Sequence, residues 1–107
     1  MNARTASGTV AAAFVIEDGE RARVTGVLDF NTVGSLLTPG EDAILAGRAA
    51  FIDLAAVTLA DSAGLALILE WLSVARASKH ALRYENVPAQ LQQLARLSEV
   101  EELLLWG

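Results

Sequence analysis

Residues 51–77 read FIDLAAVTLADSAGLALILEWLSVARA, and the organisation of the whole chain follows from them. Ala49 to Leu54 is a continuous apolar run closed by Asp53-Leu54. Such a run reads as a central strand covered on both faces. Ala55 to Ala60 then links to Asp61-Ser62-Ala63-Gly64. From Leu65 to Ala77 the apolar residues Leu65, Ile68, Leu69 and Leu72 recur at helical spacing, among strong helix formers and without proline. A strand, a turn of small polar residues and a long helix therefore stand in the middle of the chain.

Moving upstream, Thr9 to Ile16 predicts a strand, and Asp18-Gly19 predicts a tight hairpin turn. Arg21 to Thr25 alternates polar and apolar, as a strand with one wet face should. Gly26 marks a bulge or bend, with Val27-Leu28 continuing the strand. Asn31 and Thr32 are candidate N-caps of a helix carrying Val33, Leu36 and Leu37. Pro39-Gly40 leaves two options, a kinked helix or a second short helix from Glu41. Gly47 fits a helix stop. Downstream, Ala81 to Glu85 predicts a short strand, and Pro88 opens a helix whose buried stripe holds Leu91, Leu94, Ala95 and Leu97. Ser98 caps a final turn, Glu99 to Leu104. The order is β-β-α-β-α-β-α, and the strand-helix-strand step from Phe51 to Tyr84 implies a parallel pair with a right-handed crossover.

The chain has 107 residues, enough for one domain with its own core. Met1 to Gly8 is small and polar and is expected to be a flexible N-terminus, with the folded domain over residues 9–107. Lys and Arg number 8 against 13 Asp and Glu, a formal net charge of −5. That balance argues against nucleic acid and against an anionic membrane surface, both of which draw clustered cations. No apolar run is long enough to span a bilayer, and the first residues lack the pattern of a secretory signal. With no Cys and one His, thiolate and imidazole metal sites are not expected, and neither is a Cys nucleophile. No phosphate-loop motif occurs, so the chain is not expected to be an ATPase or to hold a cofactor. The expected class is a cytosolic binding or regulatory module, not an enzyme.

Ser62 is the sharpest candidate residue. One reading makes it a helix cap that satisfies an orphan amide. The other makes it a docking or modification point, since a helix start tolerates a phosphate and small Ala63 and Gly64 let a partner come close. Asp29 either caps the next helix or lines the same sheet end as Ser62, because ligands of α/β sheets gather beyond strand C-termini. Phe30 is expected in the core, with an interface anchor as the alternative. Trp71 is expected at the core edge, and Trp106 at a sheet edge or a partner. His80 follows the far end of the long helix, roughly 20 Å from Ser62, so a Ser-His-Asp hydrolase is disfavoured.

The stretch IDLAAVTLADSAGLALILEWLSVA resembles the signature region of STAS domains, a family named for sulfate transporters and anti-sigma-factor antagonists. The family pattern is a buried strand ending in Asp-Leu, a loop, Asp-Ser/Thr-x-Gly-Leu and a helix. Gly26-Val27-Leu28-Asp29 is similar to the family's Gly-Glu-Leu-Asp, with Val27 in place of the acid. Tyr84 to Pro88 and Leu91 to Leu97 are similar to its last strand and following helix, so the resemblance runs over about residues 9–104. It implies a single α/β domain, a small mixed sheet with helices mainly on one face. It also implies a non-enzymatic cytoplasmic protein that binds a protein partner through Asp29, Phe30, Asp61, Ser62, Ala63, Gly64 and Leu65. Two branches fit. In one, the chain is similar to the STAS subunit of the Mla phospholipid ABC transporter and binds and regulates its ATPase subunit, peripheral at the inner membrane. In the other, it is similar to anti-sigma-factor antagonists, which bind an anti-sigma factor or kinase and are switched by phosphorylation at the position of Ser62. Asp-Ser-Ala-Gly departs from the antagonists' usual Asp-Ser-Ser-Gly, and Ser rather than Thr at position 62 departs from the transporter branch.

Overall fold

The computed structural model describes residues 12–104. Met1 to Gly8, the first residues of the expected strand and Trp106 lie outside the described residues. Strand β1 (Ala13–Glu17) turns through Asp18-Gly19-Glu20 into β2 (Arg21–Leu28), with Glu17 opposite Arg21 in an antiparallel pair. Gly19 and Glu20 both take left-handed backbone, φ 76° and 61°, and this tight reversal is why Gly stands in the turn. Helix α1 (Val33–Leu45), strand β3 (Phe51–Ala60), helix α2 (Ser62–Ala77), strand β4 (Arg83–Glu85), helix α3 (Ala89–Leu97) and the short α4 (Glu101–Leu104) follow. The sheet has four strands in the order β1-β2-β3-β4, with β3 parallel to both β2 and β4. The predicted succession of elements and the mixed sheet are what the structure shows.

One face of the sheet carries the helices. Ala22, Val24 and Leu28 of β2 and Ile52, Leu54 and Val57 of β3 are buried on it. Among the described residues no element covers the other face, where the expectation was that β3 is covered on both sides. There Arg21 pairs with Glu85, and its guanidinium lies 5.1 Å from the centre of the Phe51 ring. Arg23 meets Glu17 at 3.6 Å. The apolar run misled because its residues on this face, Phe51 and Asp53, are only half-buried, with the Arg21 guanidinium lying over Phe51.

β3 is also longer than its apolar run suggests. Arg23 faces Asp53 but Thr25 faces Ala56, and Gly26 faces Val57 but Val27 faces Leu59. Each step inserts one extra residue into β3. A bulge bends the strand and resets which side chains point inward. Gly26 supplies the backbone that the second bulge needs, φ 92°.

Trp71 is fully buried rather than at the core edge. Its ring lies over Gly40, where any side chain would overlap it, and its Nε1 donates to the Leu37 carbonyl at 3.1 Å. Phe14 meets it edge-on at 5.4 Å between centroids. Burial of a side chain this large stabilises the fold by roughly 1.5–3 kcal/mol. This contact resolves the region around Pro39. α1 runs through Pro39 as a single helix and lays Gly40 on Trp71. Leu97, expected in the buried stripe of α3, is 81% exposed because the helix stops there, while Leu91 and Ala95 are buried and Leu94 packs against the core.

Candidate partner-binding site

The parallel strands β2 and β3 finish at the same end of the sheet, and α1, α2 and α3 all start there. The chain is stitched together at this end. The Asp61 amide donates to the Leu28 carbonyl at 3.1 Å, so the loop after β2 and the turn before α2 are neighbours. Gly64 deepens the contact. A Cβ on it would lie 2.9 Å from the Leu28 Cβ and 3.0 Å from the Leu28 carbonyl oxygen. Only glycine lets the first turn of α2 sit this close to β2.

The Asp29 loop is held from within. Asp29 Oδ1 accepts from the Asn31 amide at 2.8 Å, and the Asp29 carbonyl accepts from the amides of Thr32 and Val33, each at 3.1 Å. Thr32 occupies the N-cap position of α1, yet its hydroxyl does not cap the helix. It donates back to the Val27 carbonyl at 2.7 Å and accepts from the Asp29 amide at 3.0 Å. Asp29 thus closes its own turn instead of capping α1. The folded-back loop turns Phe30 outward, 83% exposed, which corrects its expected place in the core.

At α2 the cap is Asp61, whose Oδ1 accepts from the Ala63 amide at 2.8 Å. Ser62 therefore does not serve as the cap. It is the first helical residue and is exposed. Ala63 is half-buried beside it. Gly64 and Leu65 are not surface residues. Gly64 packs on Leu28, and Leu65 is 5% exposed within the core, so neither offers area to a partner.

Two parts of this end escaped the sequence reading. Gln90, in the first turn of α3, accepts from the Ala60 amide through Oε1 at 3.0 Å. It completes the edge of β3 where the short β4 no longer reaches. The second part is a groove of about 370 Å³ between α1 and α2. Val33, Gly34, Leu37, Ala63, Ala66, Leu67 and Glu70 line it. The i, i+3 spacing of Ala63 and Ala66 hinted at a shallow helix face, but a groove exists only once α1 lies opposite.

His80 lies beyond the other end of α2, whose 16 residues span about 24 Å. Ser62 and His80 are not brought together. Among the described residues no group of three or more His, Asp or Glu is placed to hold a metal ion, and no helix is long and apolar enough to cross a membrane. The end of the molecule at Ser62 therefore offers an exposed hydroxyl, an exposed aromatic ring and an apolar groove on a rigid base. Such a surface can bury apolar area against another macromolecule.

A family model described as "Mlab, STAS domain" matches residues 16–105. Among solved structures, the anti-sigma factor antagonist SpoIIAA in its unphosphorylated form is similar, with a TM-score of 0.64 and 21% sequence identity over 83% of each chain. That likeness shows a common fold. No curated protein sequence matches this chain.

Proposed function

This chain belongs to the STAS domain family, and on that premise we propose that it binds and regulates the ATPase subunit of an Mla-type phospholipid-transport ABC system. In this proposal the protein is non-enzymatic and sits on the cytoplasmic side of the membrane, held there by the complex. The observation that carries the reading is the exposed Ser62 at the head of α2, beside an apolar groove and the exposed ring of Phe30. The Mlab description of the matching family favours the transporter partner over others.

The mechanism is docking. Ala63 and Ala66 present little bulk, so a partner backbone approaches α2 closely. Phe30 supplies an aromatic anchor of the kind enriched at interface hot spots. The Ser62 hydroxyl supplies one hydrogen bond. A charge placed at Ser62 must be stripped of water when the surfaces meet, and it stands next to Asp61. Titrating the purified Mla-type ATPase subunit with wild type and with Ser62→Glu tests this. We expect affinity to fall roughly tenfold or more, through faster dissociation, with an unchanged melting temperature. Equal affinity of the two proteins removes Ser62 from the interface, and no binding by wild type removes the proposed partner.

A second reading makes the chain an anti-sigma-factor antagonist switched by phosphorylation of Ser62. It is favoured by the Ser62 hydroxyl, which is exposed and not engaged in capping because Asp61 takes that role. Phosphate on Ser62 in the intact mass of the protein isolated from cells, with capture of an anti-sigma factor only after its removal, selects this reading.

A further inference from the structure

We infer that the partner is basic where it meets this end of the domain: it lays an apolar side chain into the α1–α2 groove and sets a Lys or Arg against Glu70. The inference rests on the partner-binding reading above and names the chemistry of the partner's contact.

The described cations gather at one end of the sheet axis, together with most of the carboxylates. Arg21, Arg23 and Arg83 stand within the first three residues of parallel strands. Arg76 and Arg96 lie in the last turns of α2 and α3. Arg48 and Lys79 follow the ends of α1 and α2. The parallel strands β2, β3 and β4 begin, and α1, α2 and α3 end, on the same side of this fold, so every described Lys and Arg is remote from Ser62. The near end carries Asp29 and Asp61 and no described cation. With no described cation beside them to offset their charge, these carboxylates favour a cationic contact over an anionic one.

The groove adds a local feature. Val33, Leu37, Ala66 and Leu67 make its walls apolar, and among the described residues that line it Glu70 alone is charged. Glu70 is exposed and forms no ion pair among the described residues. It lies eight residues beyond Ser62, about 12 Å along α2. The interface therefore has two distinct parts, a close uncharged fit at Ser62 and a charged contact at Glu70. A partner segment with an apolar residue followed by a Lys or Arg satisfies both the groove and the carboxylate. A neutral or acidic segment leaves Glu70 facing a drier, uncompensated surface.

The test measures association and dissociation rates with the purified Mla-type ATPase subunit and, in parallel, an anti-sigma kinase. Wild type, Glu70→Gln, Glu70→Lys, Ser62→Glu and the far-end variant Arg83→Glu are compared at about 50 and about 500 mM NaCl. For whichever protein binds, we expect Glu70→Lys to weaken binding roughly thirtyfold and Glu70→Gln by about threefold to tenfold, mainly through slower association. High salt should weaken wild type and narrow its gap to Glu70→Lys, and Arg83→Glu should stay within about twofold. If Ser62→Glu loses affinity while Glu70→Lys binds as wild type does, the docking site stands and the basic partner is overturned. Binding that is indifferent to salt overturns it as well. If wild type binds neither protein, the functional reading fails and this inference falls with it.

Discussion

The two ends of the sheet solve the problem of helix termini in different ways. At the far end α1, α2 and α3 stop by one device. Gly47, Lys79 and Glu99 each turn left-handed after the helix, and the amides beyond bond backward to the last turn. Arg48 donates to Ala43 at 2.8 Å, His80 to Ala75 at 2.8 Å and Val100 to Ala95 at 2.9 Å. Backbone satisfies backbone, and the side chains are free to vary. At the near end the starts of the helices rely on particular side chains. Asp61, Asp29, Thr32 and Gln90 each reach a specific amide or carbonyl. Gly64 sets the spacing between α2 and β2. One end is thus tolerant and closed on itself. The other is exacting, and it holds Phe30 and Ser62 in water.

The contrast breaks most readily at Gly64. Its replacement by Ala places a methyl 3.0 Å from a backbone oxygen that cannot swing aside. Overpacking of this kind costs about 1–3 kcal/mol, and the better helix propensity of Ala returns about 1 kcal/mol. A net loss of up to about 2 kcal/mol lowers the melting temperature by as much as roughly 15 °C. The start of α2 must also move off β2, so partner affinity should drop along with stability. Gly47→Ala offers the comparison from the far end. No atom lies within 4 Å of its Cβ position, so its cost of about 1 kcal/mol comes from the left-handed backbone alone. Partner affinity should not change. Denaturant unfolding paired with a binding titration separates the two outcomes.

What the sequence revealed, and what it concealed, follows the same division. The Asp18-Gly19 turn, the Gly26 bulge and the Gly47 stop were legible because each is a local backbone requirement written by one residue. The long α2 was legible from its period and its formers. Phe30 was not, because its exposure is decided by the Thr32 hydroxyl reaching back to Val27. The extent of β3 was hidden by small residues without a period and by two bulges that shift the alternation. The course of α1 through Pro39 depends on Trp71, a residue in a different helix. At the site, Asp61 and Ser62 were found from their spacing, but which of the two caps α2 was not. The groove needs two helices side by side, and no window on one of them displays it.

The far end can be improved where the near end cannot. Lys79 and Glu99 take left-handed backbone at φ 62° and 61°, a conformation that costs a residue with a Cβ. Glycine removes that cost, less its larger entropy loss on folding. Glu99→Gly and Lys79→Gly should each stabilise the domain by about 0.5–1 kcal/mol, raising the melting temperature by roughly 3–6 °C. Both residues are exposed and remote from Ser62, so binding should stay at the wild-type level. A loss of stability in either variant would mean that the side chain contributes more than the backbone conformation costs.

The smallest effect belongs to the open face between the two ends. Asp53 Oδ1 accepts from Asn86 Nδ2 at 3.0 Å and from the Ala55 amide at 2.9 Å. The Asn86 hydrogen bond and then the Ala55 amide hold its carboxyl below the usual 3.8 against the opposing effect of burial, with the fields of Arg21 and Arg23 adding less. A carboxylate whose pKa is lower in the folded state binds fewer protons there than when unfolded. Its contribution is fully present above the unfolded value and fades as pH falls below about 4 toward the folded one. Because the group is largely in water, that contribution is small, a few tenths of a kcal/mol. Asp53→Asn should therefore lower stability slightly at neutral pH and flatten the stability curve below about pH 4. Urea unfolding at several pH values reads the slope directly. If the slope matches that of wild type, the Asn86 and Ala55 bonds hold the protonated carboxyl as well as the charged one, and the acid sensitivity of the fold lies in other carboxylates.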